Sequence, residues 1–125
     1  MSHNLLSIVE LGGYANFNNL YQQLGFNVEV ENSMRKAIKT LKKTQPKVIV
    51  AEFNFQSDFR DRSSSLESLL AAVQWMPETQ VVVFYDKEWI EKLDKLLEVH
   101  TVYETLPFPI NERELSKVLM RTIEV

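Results

Sequence analysis

The chain has 125 residues and a formal charge of −3, enough for one domain with a single core but without the basic field that nucleic acid demands. Hydrophobic residues at 45% against 25% charged give the balance of a folded soluble domain rather than a disordered segment. With no cysteine, disulfides, thiolate chemistry and cysteine-bound zinc are excluded. No apolar run approaches the length of a membrane span. The opening MSHNLLSIVELGG lacks the basic region and long apolar core of a signal peptide, so a cytoplasmic protein is expected.

Leu5 to Val9 is a short apolar run closed by Gly12-Gly13, a strand followed by a turn. Tyr14, Phe17, Leu20, Tyr21 and Leu24 recur at helical spacing, and Gly25 stands where a helix-ending glycine belongs. Phe26, Val28 and Val30 alternate with Asn27, Glu29 and Glu31, the period-two pattern of a strand at a sheet edge. Ser33 can cap a helix with Met34, Ala37, Ile38 and Leu41 on its apolar stripe. The other face carries Arg35, Lys36, Lys39, Lys42 and Lys43, which in an acidic chain reads as a solvated face.

The third strand, in Pro46 to Phe55 (PKVIVAEFNF), is the centre of the pattern. Val48 to Ala51 is a β-branched-rich run of the kind buried on both faces of a parallel sheet. Ligands and chemistry gather beyond the carboxyl ends of such strands, and Glu52 stands at that end as a partly solvated acid. Residues 53–63 show no period and predict a loop. Phe55 and Phe59 beside Arg60 and Arg62 have the composition of an interface, or of a weak anion grip.

Ser64 to Glu67 fits a capping box for a helix buried through Leu66, Leu69, Leu70 and Val73. Val81 to Phe84 is a fourth strand, and Asp86 can cap a helix holding Ile90, Leu93 and Leu97. Thr101 to Leu106 predicts a fifth strand, and Asn111 with Glu114 opens a last helix buried through Leu115, Val118, Leu119 and Thr122. His3 and His100 are isolated, with no spacing for a metal or catalytic pair.

Five alternating strand–helix units with short connections imply a parallel sheet wound with right-handed crossovers. The fold class is α/β and flavodoxin-like: a (βα)5 sandwich with strand order 2-1-3-4-5 and helices on both faces. No linker divides it, so residues 1–125 are expected to form one domain.

At this point the sequence resembles the receiver domain of two-component response regulators. PKVIVAE is similar to that family's strand ending on the phospho-accepting aspartate. Tyr103 to Phe108 is similar to its aromatic-x-x-Lys-Pro-Phe ending, and Leu24 to Phe26 to its entry into strand two. The resemblance implies Glu52 at the nucleophile's position and Glu10 as what is left of an acidic pair that helps hold Mg²⁺. It implies Tyr85 in place of the Ser or Thr hydroxyl, and Leu106 in place of the charge-neutralising lysine. It also makes Leu106-Pro107 a candidate cis peptide.

Each substitution weakens phosphoryl transfer. Glutamate displaces the nucleophile by a methylene where in-line attack tolerates little misplacement. Loosely placed carboxylates make a poor Mg²⁺ site, and loss of the lysine leaves the phosphoryl oxygens without a fixed positive partner. The expectation is a degenerate pseudo-receiver without catalysis, cofactor or metal. A residual divalent site from Glu10, Glu52 and the Asn54 carbonyl, or Glu52 as a constitutive phospho-mimic, are lesser readings.

Tyr85 filling the hydroxyl's place predicts Tyr103 locked in one rotamer. Trp89, Ile90, Leu93 and Tyr103, together with Phe55, Phe59, Arg60 and Arg62, form the candidate interaction surface. The expected partner is another signalling protein or a second copy, with no nucleic acid and no membrane. The alternative is a sensor domain binding a small molecule, nucleotide or other anion in the strand-end crevice and the 53–63 loop.

Overall fold

The computed structural model describes residues 3–54 and 65–123. Five parallel strands form one sheet of order β2-β1-β3-β4-β5, as the sequence predicts. In chain order these are β1 (His3–Ile8), α1 (Asn18–Gln23), β2 (Phe26–Glu31), α2 (Met34–Thr44), β3 (Val48–Phe53) and α3 (Ser65–Val73). There follow β4 (Gln80–Tyr85), a 3₁₀ turn (Lys87–Trp89), α4 (Ile90–Leu97), β5 (Glu104–Pro107) and α5 (Glu112–Ile123).

Strand alternation sends side chains to two cores. Leu6, Ile8, Ile49, Ala51, Phe53, Val81 and Val83 meet α2, α3 and α4 on one face. Leu5, Val48, Val50, Val82, Phe84 and Leu106 meet α1 and α5 on the other. All of β3 is buried, as expected for a central strand covered on both sides.

The local signals act where they were read. The Ser33 hydroxyl accepts the Lys36 N–H at 3.2 Å and starts α2. Asn111 Oδ1 accepts the Glu114 N–H at 3.0 Å and starts α5. Gly25, at φ 97°, ends α1 in a backbone conformation that costs glycine little. The five basic residues of α2 are all exposed, the solvated face expected of them.

Three boundaries and one peptide bond differ from expectation. Phe53 closes β3 and is buried, rather than opening a loop. The fifth strand is only four residues long and excludes Thr101 to Tyr103. The cis peptide joins Phe108 and Pro109, not Leu106 and Pro107. The first helix covers only Asn18–Gln23, because the chain turns at Gly12 and Gly13, at φ 70° and 83°. Tyr14 thereby lies in the loop ahead of α1. No helix among the described residues is long and apolar enough to cross a membrane.

Candidate functional site

Counting by two along β3 assigns Glu52 to the face of Val48 and Val50, beneath the β1–α1 loop. A carboxylate there leaves water, which is costly unless hydrogen bonds replace it. Glu52 is only 1% exposed, and its oxygens are surrounded by donors. The Glu10 N–H donates to Oε2 at 3.1 Å and the Leu11 N–H to Oε1 at 3.0 Å. A longer contact of 3.4 Å runs from the Gly12 N–H to Oε2. The Tyr14 hydroxyl donates to Oε2 at 2.8 Å, and Asn54 Nδ2 to Oε1 at 3.0 Å.

Three successive backbone N–H groups converging on one anion form a nest. The glycine turn makes it: φ of 70° at Gly12 is left-handed backbone that most residues adopt only under strain. Glu52 is therefore not the partly solvated acid expected from its place at a strand end. It is a buried, fully partnered anion that ties β3 to the β1–α1 loop.

Tyr14 closes the arrangement. Its ring stands edge-on to Phe84 at 5.4 Å between centroids and lies 5.4 Å from Phe108. Phe17 and Phe108 each meet Phe84 in turn, at 6.2 and 6.1 Å. These edge-to-face and tilted contacts are the favoured aromatic geometries. Burial, reinforced by the hydrogen bond to Glu52, pushes the Tyr14 phenol well above its ordinary pKa, so the ring stays a donor.

The residues assigned to the pocket by resemblance are only partly brought together. Glu52, the backbone of Glu10 and the side chain of Asn54 converge, with Asn54 acting as an amide donor rather than a carbonyl ligand. Tyr85 does not join them. Glu52 pairs in register with Phe84, and Tyr85 packs with Val81 and Val83 on the α2–α4 side. Tyr103 packs on the opposite face, against the α1–α5 core, so Tyr85 is not what holds it in place. Leu106 is buried in that same core, and Phe108, two residues on, lies against Tyr14.

On the candidate interaction surface, Leu93 lies on the buried face of α4 and offers nothing to a partner. Ile90 is exposed, and Trp89 and Tyr103 are half-buried. Phe55, Phe59, Arg60 and Arg62 lie outside the described residues. Tyr14 and the Leu11 and Gly12 amides were not singled out from the sequence. Their signal was present in Gly12-Gly13-Tyr14: paired glycines outside any helix, then an aromatic that need not belong to the helix after it.

The Mg²⁺ ion used by receivers does not fit these residues. A hard cation needs about six oxygen ligands with lone pairs free to face it. Here both Glu52 oxygens face N–H and O–H groups, whose positive ends would oppose a cation.

No family model matches the chain, and no curated protein matches it. Solved structures do. A response regulator receiver domain from Clostridium thermocellum superposes with a TM-score of 0.77 at 15% identity, over 97% of this chain and 94% of that one. The chemotaxis protein CheY4 of Vibrio cholerae gives 0.76 at 18% identity, over 98% of this chain and all (100%) of that one. The signal receiver domain of a LuxO repressor protein from Vibrio parahaemolyticus gives 0.69 at 16%, over 98% and 90%. With its strand order, its two helical layers and its acid at the end of the central strand, this chain has the fold of the response-regulator receiver domain.

Proposed function

We propose that the chain is a pseudo-receiver: a non-catalytic domain of bacterial signal transduction that is not phosphorylated and acts by binding another signalling protein or a second copy. One observation carries this reading. The carboxylate at the phospho-acceptor's position is consumed as an internal ligand, its oxygens committed to the Glu10 and Leu11 amides, Tyr14 and Asn54. A nucleophilic oxygen needs a free lone pair directed at the incoming phosphorus, with a path to it. Glu52 has neither, being buried with both oxygens already accepting hydrogen bonds, the Tyr14 hydroxyl among the donors.

The same bonds give Glu52 a different role. In place of a phosphoryl group that comes and goes, a permanent carboxylate fixes the β1–α1 loop in one conformation. A surface that does not change state suits a constitutive scaffold better than a switch. Ile90, with the half-buried Trp89, offers exposed area for such a partner at the start of α4.

The test is an amide NMR titration of the whole chain with Mg²⁺, then with Mg²⁺ and beryllofluoride, alongside incubation with acetyl phosphate read by intact mass. The expected outcome is an unmoved spectrum and an unchanged mass. Saturable shifts around Glu10, Glu52 and Asn54, or a phosphoryl adduct, overturn the proposal.

A further inference from the structure

Ser7 lies on the same face of β1 as Leu5, beside Val30 of β2 and Val50 of β3. Because α1 begins only at Asn18, the loop before it spans this part of the sheet. A cavity of about 220 Å³ lies between them, with Ser7, Tyr21 and Val30 among its lining residues.

Two buried hydroxyls belong to this cavity. Ser7 is 5% exposed and Tyr21 only 2%, and neither hydroxyl has a hydrogen-bond partner among the described residues. No side-chain oxygen of those residues is sealed off without a partner, so both oxygens open on the cavity their residues line. Buried polar groups are nearly always bonded, and an exception calls for a cause. Glu52, held by the same loop, has both oxygens met.

The remaining polar groups show what would meet these two. Asn16 Oδ1 accepts the Asn18 N–H at 2.8 Å, which leaves the Asn16 NH₂ to donate. Asn32 Nδ2 donates to the Val9 carbonyl at 3.0 Å, which leaves Oδ1 to accept. The Asn18 side-chain amide, like the two hydroxyls, can do both. These groups come from sheet, loop and helix, so they surround the space rather than line one side. No Lys, Arg, His, Asp or Glu stands among the described residues that line it. Burial pushes the Tyr21 phenol well above its ordinary pKa, which keeps it neutral. Val9, Phe17 and Val30 make the apolar part of the wall.

An occupant that satisfies this lining is neutral and carries donor–acceptor groups all round, with C–H surface between them. A planar amide presents its polar atoms along one edge, and an ion finds no counter-charge. The volume is about seven times water's share of the liquid, room for one molecule of monosaccharide size. We propose that this cavity binds a small neutral polyol, a cyclitol or monosaccharide, through the Ser7 and Tyr21 hydroxyls inside and the three asparagines at its rim. The walls are held beforehand. The Val9 N–H donates to the Glu31 carbonyl at 2.9 Å, and the Tyr21 N–H to the Phe17 carbonyl at 3.0 Å, so binding orders little of the chain. The site does not rest on the role given to Glu52, nor on any protein partner.

The test is an amide NMR titration of the whole chain with myo-inositol and with glucose, each to about 20 mM. Uracil, a planar amide, and glucose 6-phosphate, a charged sugar, are run at the same concentrations. The expected result is saturable shifts at Ser7, Asn18, Tyr21 and Asn32 with at least one polyol, and binding at least about tenfold weaker for uracil and the phosphate. Tyr21→Phe and Ser7→Ala each remove one hydroxyl that the fold does not use. Each should leave the urea midpoint at neutral pH unchanged and weaken polyol binding about tenfold or more. No saturable shift with either polyol overturns the proposal, as does uracil or glucose 6-phosphate binding as tightly. Tyr21→Phe binding as tightly as the parent also overturns it. So does a lowered urea midpoint in Tyr21→Phe, which would give the hydroxyl a partner within the fold.

Discussion

At the carboxyl end of the sheet, Tyr14, Phe84 and Phe108 pack edge to face and close over a carboxylate with no unmet hydrogen-bonding need. At the amino end, Trp75 stands in solvent beside a cleft that no described residue fills. In receiver-like folds chemistry is sought at the first of these ends, where strands terminate and loops converge. Here the acid at that end is saturated, and an exposed tryptophan stands at the other. An acid at the customary position is thus no guide to activity until the partners of its oxygens are accounted for.

The largest effect should come from shortening or neutralising the anion. Glu52→Asp restores the residue used by phospho-accepting receivers, yet it withdraws the carboxylate by about 1.5 Å, one carbon–carbon bond. The nest and Tyr14 would then be left without an acceptor. Glu52→Gln keeps the length but sets an amide NH₂ against donors. Asn54 can flip to accept from it, while the Leu11 amide cannot. Each variant should lose about 2–4 kcal/mol in urea unfolding. Neither should gain a phosphoryl group from acetyl phosphate. A Glu52→Asp protein as stable as the parent would show that the buried network does not hold the loop.

Tyr14→Phe should cost less, about 1–2 kcal/mol, because the ring contacts stay and one hydrogen bond goes. Its sharper signature is the pH dependence. The folded-state pKa of Tyr14 is raised above that of the unfolded chain, near 10. The stabilisation tied to its neutral form is therefore complete below pH 10 and is lost as pH climbs beyond it. The parent should lose stability steeply in alkali, and Tyr14→Phe less steeply. Burial raises Tyr21 in the same sense, so part of the slope remains. Urea midpoints from pH 8 to about 12 decide it, and parallel curves for the two proteins would remove Tyr14 from the account.

How much of this was legible in the sequence depended on whether a local signal carried the information. The element order, the edge position of β2, the Ser33 and Asn111 caps and the Gly25 stop all followed from spacing and residue type. The register of β4 did not. Val81 to Phe84 is buried throughout, so no polar face marks which residue lies opposite Glu52. A slip of one residue moves Phe84 out of that place and Tyr85 into it. The spacing of Tyr14 to Phe17 and Tyr21 fits a helix as well as it fits a loop that folds back. The donors to Glu52 are backbone N–H groups, which no residue type announces. With two X-Pro bonds within residues 106–109, the sequence also had no means of saying which would be cis.

The smallest expected effect tests the other half of the comparison. Trp75→Ala should change the unfolding free energy by no more than about 0.5 kcal/mol, as for a surface substitution. The contrast with a buried aromatic, at about 3–5 kcal/mol for truncation, is large enough to be decisive. The indole is 81% exposed and its turn is held by backbone bonds that the substitution leaves alone. Near-zero cost is the pattern of a residue that the fold does not use. A loss above about 1 kcal/mol would instead mean that the ring packs on its own chain, and the amino end would then be as closed as the carboxyl end.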